Sequence, residues 1–285
     1  MKMEKQTKKK KASVSTVLMV LLFVIIGALT LLPFYSLFLA SFRPGTELMR
    51  HGLGLGIDLP TMSFNNYKLL FTGDTPYFTW FLNSLKITVV QTVLTLFVSA
   101  FVGYGFAMYD FKGKNLIFTC VLFVMMIPVE IIMLPLYQLC INLGLMNTIW
   151  GIVLPTIAMP MPIFFFRQYL RGIPRDFVDA ARIDGCTEYG IFFRIILPLM
   201  KPSIASMGIF VGMNSWNSML WPMLVIRSND KITLPIGLAS LITPYGNNYD
   251  VLLAGAVFAV VPIIILFVLF QKYFISGMTA GGVKG

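Results

Sequence analysis

The sequence predicts an all-α integral membrane protein with six transmembrane helices, and two observations carry this prediction. Of the 285 residues, 57% are hydrophobic and 12% are charged, and the mean hydropathy is +0.81. Soluble domains are closer to half apolar and a quarter charged, so this composition indicates a chain that folds in lipid. Several apolar runs also reach the roughly 20 residues that cross a ~30 Å hydrocarbon layer.

Six apolar runs define the predicted spans. The first contains no charged residue and is too long for the apolar core of a signal peptide. Pro128 and Pro135 interrupt the third. In chain order, the predicted spans are Val14–Phe38, Asn83–Ala107, Leu116–Tyr137, Thr148–Phe166, Ser203–Ile226 and Val251–Phe270. The spans and their loops form a predicted transmembrane domain over residues 14–275, between an N-terminal segment (1–13) and a C-terminal tail (276–285).

The basic residues predict that both termini are cytoplasmic. Basic residues next to membrane helices mark the cytoplasmic side and contact anionic lipid. The opening run MKMEKQTKKKKA carries six of the 22 basic residues and precedes the first span. Six spans then place the segment 167–201 on the same side, and this segment contains Arg167, Arg171, Arg175, Arg182, Arg194 and Lys201. The loop over residues 138–147, expected outside, carries no charge, whereas the first external loop (41–82) holds three basic residues.

The composition also excludes several classes of function. The net charge of +10 is concentrated in the N-terminal lysine run, which indicates membrane orientation and contact with lipid, not binding of nucleic acid. His51 is the only histidine, and the three cysteines show no metal or redox spacing, so neither a metal nor a cofactor is expected in this chain. The chain contains no G-x-x-x-x-G-K-[ST] motif, so we expect no ATP bound through a P-loop and no enzyme activity.

The segment RGIPRDFVDAARIDGCTEYGIFFRIILPLMKP (residues 171–202) predicts two short helices joined at a glycine. Pro174 suits the first position of a helix, and Gly185 suits the left-handed position that ends one. Thr187 can cap the second helix. The first helix places four residues on one face, where small alanines lie beside an acid: Phe177, Ala180, Ala181 and Asp184. Such a face favours close contact with another protein, although a connector helix on the membrane surface is an alternative interpretation.

This segment resembles the permease subunits of bacterial ABC importers. Their pattern is Glu-Ala-Ala, three residues, Gly, nine residues, Ile, one residue and Leu-Pro. The chain keeps every spacing, with Asp179-Ala180-Ala181, Gly185, Ile195 and Leu197-Pro198, but has Asp179 where Glu is usual. Other stretches are similar to the carbohydrate-importer (MalG-like) branch of these permeases: FNNYKLLF, NSLKIT, IPVEIIMLPLY, NSWNSMLWPMLV and GMTAGGVKG.

The resemblance implies a type I ABC importer permease fold in the bacterial cytoplasmic membrane. It implies three kinds of partner: a second permease subunit, a dimer of ATP-binding-cassette ATPases and an extracytoplasmic solute-binding protein. ATP and Mg²⁺ would be bound by the ATPase subunits, and the branch implies a sugar or oligosaccharide as cargo. The helix that sits in a cleft of the ATPase would contain the coupling residues Asp179, Ala180, Ala181, Asp184 and Gly185.

Polar residues in the spans are candidates to line a pathway for the cargo. Glu130 is the one acid deep in a predicted span, where a carboxylate faces a cavity or a partner. An interhelical hydrogen bond is the alternative for this residue. Asn214 and Asn217 lie in an aromatic-rich stretch whose amides suit sugar hydroxyl groups, and Asn83 begins the second span. An ion-gradient-driven transporter or channel is the alternative function, although a single deep acid offers few ion ligands.

Overall fold

The computed structural model of the protein describes residues 14–243 and 246–279. Its helices are α1 (Val14–Ala40), α2 (Gly45–His51), α3 (Asn65–Thr72), α4 (Tyr77–Met108), α5 (Lys114–Met125), α6 (Val129–Asn142), α7 (Ile149–Val153), α8 (Pro160–Leu170), α9 (Asp176–Ile183), α10 (Glu188–Ile191), α11 (Leu197–Leu199), α12 (Lys201–Trp216), α13 (Leu220–Val225), α14 (Leu234–Ser240) and α15 (Tyr249–Thr279). A 3₁₀ turn (Leu154–Thr156) follows α7, and a π-helical segment (Phe192–Ile196) follows α10. The short strands β1 (Ile242–Thr243) and β2 (Gly246–Asn247) pair antiparallel.

Three single helices and three bent helix pairs are long and apolar enough to cross a membrane. The single helices are α1, α4 and the first 23 residues of α15. The bent pairs are α5 with α6 (103°), Ile149–Thr156 with α8 (45°) and Glu188–Leu199 with α12 (77°). When each bent pair is counted as one span, the described residues contain the six spans that the sequence predicts, and the all-α fold class is confirmed.

The break in the third span has a chemical cause. At the end of α5, the amides of Met126 and Ile127 donate to carbonyl groups three residues back, at 3.0 and 3.2 Å. Pro128 then has an extended backbone (ψ 131°) and precedes the first residue of α6. Proline has no N–H to continue a helix, so the chain changes direction there. Pro135 lies inside α6 without ending it.

The predicted fifth span, Ser203–Ile226, is wrong at its carboxyl end. The helix α12 ends at Trp216, and Asn217 closes it by donating its backbone N–H to Met213 O at 3.1 Å. The remaining apolar residues form the separate helix α13. The apolar run continues through this break, so hydropathy alone did not locate it. The second span also differs, because α4 begins at Tyr77 and not at Asn83.

Contacts divide the described chain into two compact units. The first contains residues 14–70 and 248–257. Within this unit, Asn66 is buried and donates its side-chain amide to Ser41 O (2.9 Å) and Arg43 O (2.8 Å). The helix α1 exposes most of its apolar side chains, and its buried residues lie at one end: Ser36, Leu39 and Ala40.

The second unit contains residues 71–243, 246–247 and 258–279, and α4 is its centre. The helix α4 packs against α8 and against α12. One apolar cluster surrounds Tyr104 near the carboxyl end of α4, with Phe166, Leu170, Phe192 and Met200. Another surrounds Ile87 near the opposite end, with Ile152, Val153, Trp221 and Val225. The two clusters fix α4 to its neighbours over most of its length.

A buried polar bridge joins three segments of this unit at membrane depth. Gln91 of α4 donates its side-chain amide to Thr156 Oγ1 at 2.9 Å, and Ser215 of α12 donates its hydroxyl to Gln91 Oε1 at 2.7 Å. Both the donor and the acceptor of this amide are therefore paired, as a polar group in lipid requires. The bridge connects α4, the 3₁₀ turn and α12.

Candidate functional site

The predicted pair of helices forms at α9 and α10, and its joint is capped at both ends. The helix α9 ends in a Schellman motif, in which Gly185 N donates to Arg182 O (3.0 Å) and Cys186 N donates to Ala181 O (2.9 Å). Gly185 has φ +77°, which is the left-handed conformation that glycine adopts without strain. Thr187 then caps α10 by accepting from Gly190 N at 3.1 Å. Pro174 does not occupy the first position of the helix, because α9 begins at Asp176.

One face of α9 is anchored in the apolar core of the second unit. Val178 and Ala181 are 2% and 4% exposed, and both belong to the apolar cluster around Tyr104. The segment after the joint enters the same cluster, where Ile191, Phe192 and Ile196 have no exposed surface. The joint is therefore attached to the transmembrane helices through packed side chains on both of its sides.

The other face of α9 is open to solvent. Phe177 is 50% exposed and Ile183 is 87% exposed. Four of the five predicted coupling residues are also exposed: Asp179, Ala180, Asp184 and Gly185. Ala181 was predicted on the face of Phe177 and Ala180, but the structure turns it toward the core. Two apolar side chains and two carboxylates therefore lie on the part of α9 that the chain itself leaves uncovered.

A cluster of charged side chains ties α9 to the end of α4. Arg182 donates through Nε to Glu188 Oε1 (2.7 Å) and through Nη1 to Asp179 Oδ1 (3.3 Å). Tyr109, the residue directly after α4, donates its hydroxyl to Glu188. The guanidinium carbon of Arg182 also lies 5.8 Å from the centre of the Tyr109 ring. Sequence reasoning did not identify Arg182, Glu188 or Tyr109 as parts of the site.

A second tie joins the start of α9 to the turn between α4 and α5. Asp110 pairs with Arg175, the residue directly before α9, at 3.0 Å, and with Lys114 at 3.0 Å. Donation from Arg175, and then from Lys114, holds the pKa of the Asp110 carboxyl below its ordinary value. Asp110 therefore remains charged at neutral pH, and both ends of α9 are attached to the residues that follow α4.

The pathway candidates occupy different surroundings. Glu130 is exposed in the first turn of α6, next to the 103° bend. Asn214 and Asn217 are also exposed, and each donates its amide to a carbonyl of its own helix, at 2.8 and 2.9 Å. Asn83 uses both amide hydrogens on a later loop, at Asp230 O (2.9 Å) and Ile232 O (3.1 Å). Asn83 is therefore tied to a loop of the chain, whereas Glu130, Asn214 and Asn217 are left uncovered by it.

Trp221 is buried within the chain and donates to Gly151 O at 3.2 Å. It therefore packs inside the second unit. Among the residues that the structure describes, no three histidine, cysteine, aspartate or glutamate side chains lie close enough to hold a metal ion.

The comparisons with known proteins identify the family of the chain. Residues 96–280 match the family model described as binding-protein-dependent transport system inner membrane component. The arabinooligosaccharide transport system permease protein AraQ of Bacillus subtilis is 55% identical over 273 residues, which are 96% of this chain and 97% of that protein. AraQ of Halalkalibacterium halodurans is 56% identical over 278 residues, or 98% of this chain and 100% of that protein.

A more distant relative and a solved structure extend the comparison. The lactose transport system permease protein LacG of Rhizobium radiobacter is 36% identical over 257 residues, which are 90% of this chain and 92% of that protein. The fold matches a bacterial ABC transporter involved in the import of the acidic polysaccharide alginate. The TM-score is 0.82 and the identity is 23%, over 93% of this chain and 100% of that chain. The chain therefore belongs to the family of inner membrane components of binding-protein-dependent transport systems.

Proposed function

We propose that the chain is the non-catalytic permease subunit of an ATP-driven sugar importer, and that α9 is the segment through which a partner ATPase acts on it. A dimer of such ATPases would bind and hydrolyse ATP with Mg²⁺. The observation that carries this proposal is the helix α9, which is buried on one face through Val178 and Ala181, exposed on the other, and followed by a capped joint. Asp179, Ala180 and Asp184 would contact the ATPase. Gly185 would fix the backbone of the joint, and Ala181 would seat the helix in the chain's own core.

The arrangement suits the transmission of movement. A push on the exposed face of α9 acts on Val178 and Ala181, which are packed against residues of α4 and α8. The charged ties through Glu188 and Asp110 restrain rotation of α9 about its own axis, since they hold both of its ends. Packed helices of this kind move as rigid bodies, because a close-packed core does not compress. Movement of the ATPase would therefore reach α4 and, through Gln91, α12.

A second permease subunit would complete the pathway, and an extracytoplasmic solute-binding protein would deliver the cargo. The exposed carboxylate of Glu130 supports this proposal, because an ionisable group at membrane depth normally faces water or another protein. Asn214 and Asn217 are also exposed and keep acceptor oxygens for a sugar hydroxyl. Asn83 has both amide hydrogens in use, so we assign it to positioning the loop at Asp230.

The cargo we propose is an oligosaccharide that contains arabinose. Two relatives that are 55% and 56% identical over nearly the whole chain carry arabinooligosaccharides in their names. A lactose permease relative is only 36% identical, so the pentose oligosaccharides are better supported than disaccharides of hexoses. Sugar hydroxyl groups would donate to amide oxygens, and the C–H faces of the sugar rings would pack on aromatic rings that face the pathway.

Transport measurements test this function directly. We expect the chain, reconstituted in liposomes with its partner subunits, to import a labelled arabinooligosaccharide only when ATP and the binding protein are both present. The chain alone should neither transport the sugar nor hydrolyse ATP. Uptake by the chain alone, driven by a proton or sodium gradient, would instead show an ion-coupled transporter. ATP-dependent uptake of a different sugar would retain the importer and change only the cargo.

The proposed orientation places both termini and α9 in the cytoplasm. Residues 1–13 and 280–285 lie outside the described residues, so the orientation is best tested at α9 itself. Cys186 is exposed in the joint after α9, whereas Cys140 is buried. A maleimide that cannot cross membranes should label Cys186 in inside-out vesicles and not in right-side-out vesicles, and bound ATPase should reduce the labelling.

The control for this measurement is a Cys186→Ser variant, which shows any labelling of Cys120, the other exposed cysteine. Labelling of Cys186 only from the outside would reverse the orientation and separate α9 from a cytoplasmic ATPase. A third outcome is that Cys186 is labelled from inside to the same extent with and without bound ATPase. That result would support the orientation but contradict the proposed contact.

A further inference from the structure

We propose that a basic cavity at the ends of α4, α5 and α8 binds the phosphate group of an anionic phospholipid. The cavity has a volume of about 520 Å³. Its wall contains one carboxylate, from Asp110, and four cationic side chains: Lys114, Arg167, Arg171 and Arg175. The excess of positive charge favours an anion, and a cavity of this size accommodates a phosphate with its glycerol linkage.

Two of the cations are not neutralised by the chain itself. Asp110 pairs with Lys114 and Arg175. Neither Arg167 nor Arg171 has a carboxylate partner among the residues that the structure describes. The guanidinium of Arg167 lies 3.7 Å from the centre of the Phe118 ring. Its Nε is buried and has no hydrogen-bond acceptor, although buried N–H groups nearly always have one. A phosphate oxygen in the cavity would supply an acceptor beside this arginine.

The backbone adds to the preference for an anion. The helix α5 has 12 residues, and its first turn forms part of the cavity wall through Lys114, Asn115 and Leu116. No side chain caps this end of the helix, and Gly113 precedes it with φ +83°. The first turn of a helix presents N–H groups with partial positive charge, which is a common setting for bound phosphate.

An apolar flank beside the cavity indicates a lipid and not a soluble phosphate. Leu116 lines the cavity and is 71% exposed, and the exposed apolar surface continues along α5 through Ile117 (49%) and Phe123 (63%). A phospholipid would place its phosphate head group in the basic cavity and its acyl chains along the exposed apolar side chains of α5. Basic pockets at the ends of membrane helices bind anionic head groups in this way.

Native mass spectrometry of the full-length chain tests this site. The purified chain would be incubated with equal concentrations of phosphatidylglycerol and phosphatidylcholine that carry identical acyl chains. We expect preferential retention of one phosphatidylglycerol molecule. Arg171→Gln should lower this retention about five-fold, the factor expected for the loss of one basic residue at a membrane surface. Arg171 is exposed, so this substitution leaves the packed core unchanged.

Arg194→Gln is the matched control, since Arg194 is exposed in the same basic segment but does not line the cavity. It should leave the retention of phosphatidylglycerol unchanged. An equal loss in Arg194→Gln, or equal retention of the two lipids by the unmodified chain, would overturn the proposal. Displacement of phosphatidylglycerol by inorganic phosphate at a similar concentration would assign the cavity to a soluble anion. Loss of the bound lipid when partner subunits bind would assign the cavity to a protein contact. Each of these last two results, displacement by phosphate or loss on assembly, would reject the lipid site.

Discussion

Replacing Gly185 with valine should reduce ATP-dependent uptake at least ten-fold while the chain still inserts into the membrane. Gly185 has φ +77°, and a β-branched residue in that conformation costs about 1–3 kcal/mol. The joint would relieve this strain by losing the hydrogen bonds of Gly185 N and Cys186 N to α9. A loosened joint absorbs movement of the ATPase instead of passing it to α4. The measurement is uptake by proteoliposomes that contain equal amounts of assembled complex.

Gly185→Asn separates the effect of the backbone from the effect of side-chain volume. An added Cβ at this position has no heavy atom within 4 Å in the chain, so a larger side chain meets no clash there. Asparagine tolerates the left-handed conformation, and this variant should keep uptake within about two-fold of the unmodified chain. Full uptake by Gly185→Val would show that the joint need not be rigid. An equal loss in Gly185→Asn would show that the ATPase packs directly on this position, against the explanation from backbone strain.

Gly103→Ala should destabilise the transmembrane unit by about 1–3 kcal/mol, the cost of forcing extra volume into a packed core. The new Cβ would lie 2.8 Å from Phe166 Cβ, 3.1 Å from Arg167 N and 3.3 Å from Ile163 O. Two of these atoms belong to the backbone of α8, so α4 and α8 must move apart. The midpoint of thermal unfolding in detergent should fall by about 2–4 °C for each kcal/mol by which the free energy of unfolding decreases.

Gly105→Ala is the control for this prediction, because it lies two residues further along the same helix. An added Cβ there has no heavy atom within 4 Å outside the helix's own backbone. Alanine favours a helix over glycine by about 1 kcal/mol, so this variant should be as stable as the unmodified chain or more stable. If both variants unfold at the same temperature, close packing of α4 on α8 at Gly103 does not limit stability.

The parts of the fold that follow from local chemistry were predictable from the sequence. The left-handed glycine at 185 and the cap at Thr187 follow from the preferences of single residues, and both are confirmed. The six spans follow from hydropathy, which measures transfer into lipid and needs no knowledge of neighbours. The break between α12 and α13 was not predictable in this way, since the run remains apolar on both sides of it.

Contacts between distant residues account for the remaining differences. Asn83 begins a predicted span, but its amide hydrogens bind carbonyl groups about 150 residues later in the chain. Tyr109 and Glu188 are 79 residues apart, and no pattern in the sequence links them. Ala181 has the same helical spacing as its exposed neighbours, and its packing in the apolar cluster around Tyr104 decides that it is buried.

The bridge at Gln91 also sets an order for the biogenesis of the chain. Thr156 lies 65 residues after Gln91, and Ser215 lies 124 residues after it. In a nascent chain that has not reached α12, the side-chain carbonyl of Gln91 therefore lacks the Ser215 hydroxyl as its hydrogen-bond donor. An unpaired amide group in hydrocarbon is costly, so a chain truncated before Ser215 would hold α4 in an unstable environment. Completion of α12 supplies the missing donor, so a finished subunit differs at this point from any fragment that ends before Ser215.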